Sequence, residues 1–282
     1  MGELVMAAKV THVPSIWMSE MYEQHKGIRD NAINGLVELG NRARNRGAET
    51  FVVIDAHWIV NQGFHLNANE RFQGDFTSPE LPHFLRDMKY DYPGDPEFGR
   101  ELVAAVEGAG YRAIAHEDPN LTLEYGTLIP MRHANPDASV KVVPIAANQF
   151  ASIEEGRKWG EILAQTIKDS DRKVALFASG SLSHQFFPNS ESIEGAFEVN
   201  KEFNKQVDLR VLELWRDGRT REFLAMLPDY AQRCYGECGM VDTAMLFGLL
   251  GWDGYTGKGE QIGDYFGSSG TGQVNVDFDL PA

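Results

Sequence analysis

The chain has 282 residues, 43% hydrophobic and 24% charged, enough to bury a substantial core as one large α/β domain or two smaller ones. A formal charge of -15 argues against nucleic acid, whose phosphates need clustered Lys and Arg, and requires a locally basic pocket for any anionic substrate. No apolar run approaches the ~20 residues that span a bilayer. The start of the chain enters a strand with no basic leader. Cys234 and Cys238 form a C-x3-C pair too poor for a zinc site, so free thiols in a reducing cytoplasm are expected.

In chain order, Leu4 to Val10 reads as a buried strand and is followed by Thr11-His12. Residues 29–46 place Ile33, Leu36, Val37 and Ala43 on one helical face, with Gly47 as the C-cap. A second apolar run, Phe51 to Ala56, leads into His57-Trp58. Residues 79–90 read as a short helix, and Asp95-Pro96 opens another, with an N-cap residue before a proline at the first helical position. A strand over Val140 to Ala146 precedes a capping box, Ser152-Ile153-Glu154-Glu155, and a helix whose stripe is Trp159, Ile162, Leu163, Thr166 and Ile167. The strand from Lys173 to Ser179 runs into Gly180-Ser181-Leu182-Ser183-His184. From Ile193 to Leu250 the pattern is helical, with Phe197, Phe203, Val207, Val211, Leu214 and Trp215 at core spacing, and the tail alternates as a strand through Val274, Val276, Phe278 and Leu280. Strands separated by helices of 10–20 residues imply a mixed, mostly parallel sheet covered on both faces. With no linker, repeat or low-complexity stretch, residues 1–282 read as a single domain.

Three of the eight histidines, His12, His57 and His184, stand at the exits of three separate apolar strands. One such His is usually a satisfied polar residue; three converge, because ligands in open α/β sheets sit outside the carboxyl ends of the strands. A metal site also needs a carboxylate from an irregular segment near that edge. Glu237 fits, in Cys234-Tyr235-Gly236-Glu237-Cys238-Gly239, whose glycines permit close approach of backbone to a metal. By the same reading His116, just upstream of Tyr125, is a pocket candidate, whereas His25, His65 and His83 are structural or solvent-facing. Gly267 to Gly272 is not a phosphate loop, since it lacks the Gly-Lys-Ser/Thr ending and precedes a strand.

Several motifs in one order carry a resemblance over essentially the whole length. They are Thr11-His12-Val13-Pro14-Ser15, Asp55-Ala56-His57-Trp58, Leu81 to Met88, Leu123-Glu124-Tyr125-Gly126-Thr127, Ala178 to His184, Tyr235-Gly236-Glu237 and Ser268 to Asn275. Together they resemble the class III extradiol ring-cleavage dioxygenases, above all the branch acting on catechols with an acetate side chain. The resemblance implies that His12, His57 and Glu237 ligate a mononuclear non-haem Fe(II). It makes His184 the acid/base that takes a proton as catechol binds and returns one during O–O cleavage, work suited to imidazole. Two imidazoles and one carboxylate on one face leave the opposite face open for catechol and O2, although that donor set does not by itself fix the metal. Tyr125 stands where many members carry a histidine, so a phenol there is expected to bind substrate or assist catalysis, or else to be structural. Asp55 is a candidate to orient the ligands, and Cys238 is either an oxidation-prone neighbour of Glu237 or a buried, inert thiol. A homo-oligomer is implied. The competing readings are the same chemistry on 2-aminophenol or another catechol, a non-catalytic partner subunit, and a zinc hydrolase.

Overall fold

A computed structural model describes residues 1–281. The strands are β1 (Glu3–Val10), β2 (Thr50–Asp55), β3 (Phe64–Asn67), β4 (Arg71–Phe76), β5 (Met88–Pro93), β6 (Ala113–His116), β7 (Lys141–Ala146), β8 (Lys173–Ser179), β9 (Gly259–Gln261), β10 (Phe266–Ser268), β11 (Thr271–Gln273) and β12 (Val276–Phe278). The helices are α1 (Pro14–Met21), α2 (Asp30–Asn45), α3 (Pro96–Gly108), α4 (Tyr125–Ala134), α5 (Ile153–Asp169), α6 (Glu202–Arg216), α7 (Thr220–Arg233) and α8 (Val241–Leu250).

Eight strands form the central sheet in the order β6-β3-β7-β2-β8-β1-β12-β9. The pairs β7/β2, β2/β8, β8/β1 and β3/β6 are parallel; β3/β7, β1/β12 and β12/β9 are antiparallel. The expected mostly parallel mixed sheet is therefore present. Its central strands are apolar almost throughout because both faces are covered. In β2, Val52 and Ile54 pack with residues of α3, α5, α7 and α8, while Phe51 and Val53 pack with residues of α1, α2 and α4. That alternation follows directly from the two-residue period of a strand.

The capping box of α5 forms as expected, with Ser152 and Glu155 satisfying each other's backbone N–H. Gly47 takes the left-handed conformation that ends α2. The buried stripe of α2 is Ala32, Leu36, Leu39 and Ala43, so Val37 faces out and Ile33 is only half-buried. Residues 79–90 are not a helix. Pro79 and Pro82 remove backbone donors, Ser78 Oγ accepts from the Glu80 and Leu81 N–H groups in a turn, and Asp87 has a positive φ. The segment's last residues enter β5 instead, where Met88, Tyr90 and Tyr92 are the buried alternate positions. The later helical region begins at Glu202 rather than Ile193, so Phe197 lies outside it and is exposed, and Phe203, in its first turn, is exposed as well. Among the described residues no helix is long and apolar enough to cross a membrane.

Asp95 ties three elements together. It caps α3 by accepting from the Phe98 N–H at 3.2 Å, and accepts from Thr50 Oγ1 at 3.2 Å and Arg172 Nε at 3.0 Å. Burial would raise its carboxyl, but the Phe98 N–H and the Arg172 guanidinium outweigh burial and hold it below the usual carboxylate range. A depressed folded-state pKa adds stability above the unfolded value of about 4, and that contribution disappears as pH falls through the folded value. Asp95→Asn should therefore lose about 2 kcal/mol in urea unfolding at pH 7, and the gap from wild type should narrow below about pH 4.

Candidate active site

Strands β2, β8 and β1 lie side by side and parallel, so their carboxyl ends open at one edge. His12 follows β1, His57 follows β2, and His184 follows β8 at the end of the loop from Gly180. Glu237 arrives from the other end of the chain, between α7 and α8. Its segment is conformationally costly: Tyr235, Cys238, Gly239 and Met240 all have positive φ, a cluster of the kind found at functional sites.

Glu237 lies at the centre. Its Oε1 is 3.4 Å from His12 Nε2 and 3.5 Å from His184 Nε2, and its Oε2 accepts from the Ser181 N–H. Burial opposes ionisation, but His184, His12 and that N–H outweigh it and keep the carboxyl well below its ordinary range. The other nitrogen of His12 fixes the tautomer. Ser179 Oγ has one proton and donates it to Gly126 O at 2.5 Å, so across the 3.0 Å contact to His12 Nδ1 it must accept. His12 therefore carries its proton on Nδ1, and its neutral form turns a bare Nε2 lone pair toward a carboxylate. Two buried acceptors that face each other call for a cation between them, either a proton or a metal. Burial lowers the His12 pKa, but Glu237 and Asp55 outweigh it and raise it overall.

His57 points to the same chemistry from a different position. Its Nε2 faces Glu80 Oε2 at 3.2 Å, which draws the ring proton to Nε2, and its Nδ1 is buried without a partner. Burial and the neighbouring His12 lower its pKa, favouring the neutral form that binds metals. The Tyr125 ring packs against it at 3.8 Å between centroids and meets His12 edge-on at 5.6 Å. The donor set suits a divalent metal, but it is not drawn together. The His12 and His57 rings are 6.1 Å apart, and among the described residues no three His, Cys, Asp or Glu side chains close on one point.

Asp55 has a different role from the one expected. Its carboxylate accepts from the His57 and Trp58 backbone N–H groups at 2.7 and 3.0 Å and from Thr127 Oγ1 at 2.7 Å, shaping the turn rather than touching an imidazole. The residues facing the rings are Ser179 and Glu80. Asp208 braces the loop before His184, accepting from Ser183 N, Ser183 Oγ, Tyr230 and Tyr265. His116 is not brought into the cluster. It lies on β6 at 3.0 Å from His65, with the ring of Trp58 beside it at 5.8 Å between centroids. The Cys238 thiol donates to Ala56 O at 2.8 Å, and burial pushes its pKa well up, which disfavours the reactive thiolate. Glu124, at the start of α4, is a site carboxyl that sequence reasoning passed over; burial, with Asp55 and Glu80 nearby, raises its pKa to about 7.

Residues 6–279 match the family described as the catalytic LigB subunit of aromatic ring-opening dioxygenase. The chain belongs to this family. It is 47% identical to a 3,4-dihydroxyphenylacetate 2,3-dioxygenase of Escherichia coli, covering 92% of this chain and 94% of that protein. It is 25% identical to a 2-aminophenol 1,6-dioxygenase beta subunit of a Pseudomonas species, over 84% of this chain and 82% of that one. The crystal structure of an uncharacterized protein from Escherichia coli K12 superposes with a TM-score of 0.64 at 16% identity, covering 88% of this chain and 92% of that one, and so shares the fold. The resemblance drawn from the sequence motifs is upheld: the chain is an extradiol ring-cleavage dioxygenase.

Gly126 shows how tightly the site is framed, since a Cβ there would sit 2.0 Å from Asp55 Oδ1. Gly126→Ala should lower thermal stability by about 2 kcal/mol. Gly108→Ala, at the end of α3 with nothing within 4 Å of the added carbon, should be neutral in the same measurement.

Proposed function

We propose that this chain is a non-haem Fe(II) enzyme that opens the ring of 3,4-dihydroxyphenylacetate with O2, giving 5-carboxymethyl-2-hydroxymuconate semialdehyde. The supporting observation is the buried His12 Nε2 facing Glu237 Oε1 at 3.4 Å, in a chain 47% identical to a relative of that named activity. His12, His57 and Glu237 would hold the metal, through the two unprotonated imidazole nitrogens and the carboxylate. When bound, Fe(II) supplies a Lewis-acidic centre with positions open to a chelating catecholate and to O2. Both oxygen atoms enter the product, so the reaction needs no outside reductant.

The protein's own groups handle the protons. His184 is 25% exposed at its side chain and lies against Glu237, so it faces both the crevice and the centre. It accepts a proton from a catechol hydroxyl and returns it to the departing oxygen. Burial and the surrounding carboxylates raise the Tyr125 pKa, so its phenol stays protonated as a hydrogen-bond donor in the site. Ser179 and Glu80 hold the imidazole tautomers. A non-catalytic partner subunit would have no use for this set, and all of it is present. The reading extends to the rest of the chain: one catalytic domain, working in the cytoplasm where Cys234 and Cys238 stay reduced, as a homo-oligomer. The last point rests on the word subunit in the family description and in one relative's name.

Anaerobic loading with Fe(II), followed by air and 3,4-dihydroxyphenylacetate, should give a yellow ring-opened product. No product from this substrate, but turnover of 2-aminophenol, would move the assignment to the other ring. His184→Phe should take up Fe(II) as wild type does while kcat falls about 100-fold or more. Ser179→Ala frees the His12 tautomer and should weaken metal binding by about 10–100-fold in competition with a chromophoric chelator.

A further inference from the structure

Only two cations, Lys9 and Arg29, are buried among the described residues, and they are treated differently. Lys9 is ion-paired with the equally buried Asp242. Arg29, 7% exposed, has only neutral partners. Its Nε donates to Ser15 Oγ at 2.9 Å, its Nη2 donates to Gly267 O at 2.9 Å, and its guanidinium lies 4.3 Å from the Phe266 ring centroid and 5.3 Å from that of Phe197. Nη1 and the second N–H of Nη2 remain as an open fork, the geometry that grips a carboxylate. Burial lowers the Arg29 pKa to about 10, which leaves it charged at neutral pH. An uncompensated buried charge is unfavourable, so its retention in a chain of net charge -15 calls for an anion.

Its location narrows the choice of anion. Ser15 sits in the first turn of α1, three residues after His12, and its hydroxyl also contacts Ser268 Oγ at 3.0 Å. Ser268 pairs across its hairpin with Thr271, which bridges to His184. Arg29 is thus one hydrogen bond from the segment carrying His12 and is joined through the β10–β11 hairpin to His184.

We propose that Arg29 recognises the carboxylate of the arylacetate substrate and sets the preference for acid-bearing catechols. The assignment rests on the catechol-cleavage reading above, and one experiment separates their failures. Fe(II)-loaded wild type, Arg29→Met and Arg29→Lys are assayed with 3,4-dihydroxyphenylacetate and with 4-methylcatechol, which has the same ring without the carboxylate. Arg29→Met should raise KM for the acid about 30-fold or more and leave kcat/KM for 4-methylcatechol within about 3-fold. Arg29→Lys keeps the charge but loses the fork, and should show a smaller loss confined to the acid. Parallel loss on both substrates in either variant makes Arg29 a structural strut and overturns the proposal, as does an unchanged KM for the acid. If Arg29→Met fails to fold, the lysine variant decides by the same criterion. A wild type that opens neither ring sinks the catechol reading itself. A readout without turnover should agree: in anaerobic titration wild type should bind 4-hydroxyphenylacetate about tenfold or more tighter than p-cresol, and the surviving variant should lose that difference. Equal wild-type affinities overturn the assignment.

Discussion

Near the middle of this molecule two hydrogen-bond acceptors are held face to face, and much of the architecture serves to keep them there. The Ser179 hydroxyl, committed to the Gly126 carbonyl, fixes a His12 proton on Nδ1, so that in the neutral imidazole Nε2 stands bare before the Glu237 carboxylate. In water such an arrangement would relax at once. Here the carboxylate is pinned by the Ser181 N–H, the imidazole by β8, and both are buried. The repulsion is relieved only by a positive charge between them, a proton or a metal.

The sheet topology makes this possible. Because β8 lies between β1 and β2, Ser179 can support His12 from the neighbouring strand while the following loop delivers Ser181 and His184. Close approach of α4 depends on Gly126, whose missing side chain admits the Asp55 carboxylate, and Asp55 in turn shapes the turn that presents His57. Glu237 comes from a stretch of left-handed backbone that a less constrained loop would abandon.

The parts of this arrangement with a periodic or compositional signal were legible in the sequence. The central strands read as continuous apolar runs, α5 announced itself by its capping box, and His12, His57 and His184, each following a strand, pointed to the sheet edge where the structure places them. The contacts between segments were hidden. Nothing local pairs Ser179 with His12 or Glu80 with His57, and Asp55, adjacent in sequence to the His57 turn, turned out to bind backbone rather than ring. Residues 79–90 misled because Pro79 and Pro82 turn the backbone before it enters β5, and His116 misled because nearness in sequence to Tyr125 does not bring it into the cluster.

The antiparallel pairing of β1 with β12 joins the first strand of the sheet to the last. β1, with His12 two residues after it, therefore lacks a neighbour on one side until β12, made far later than β1, pairs with it. Glu237 is also made late. The edge where His12 meets Glu237 is therefore completed only when both distant stretches of chain have joined the fold.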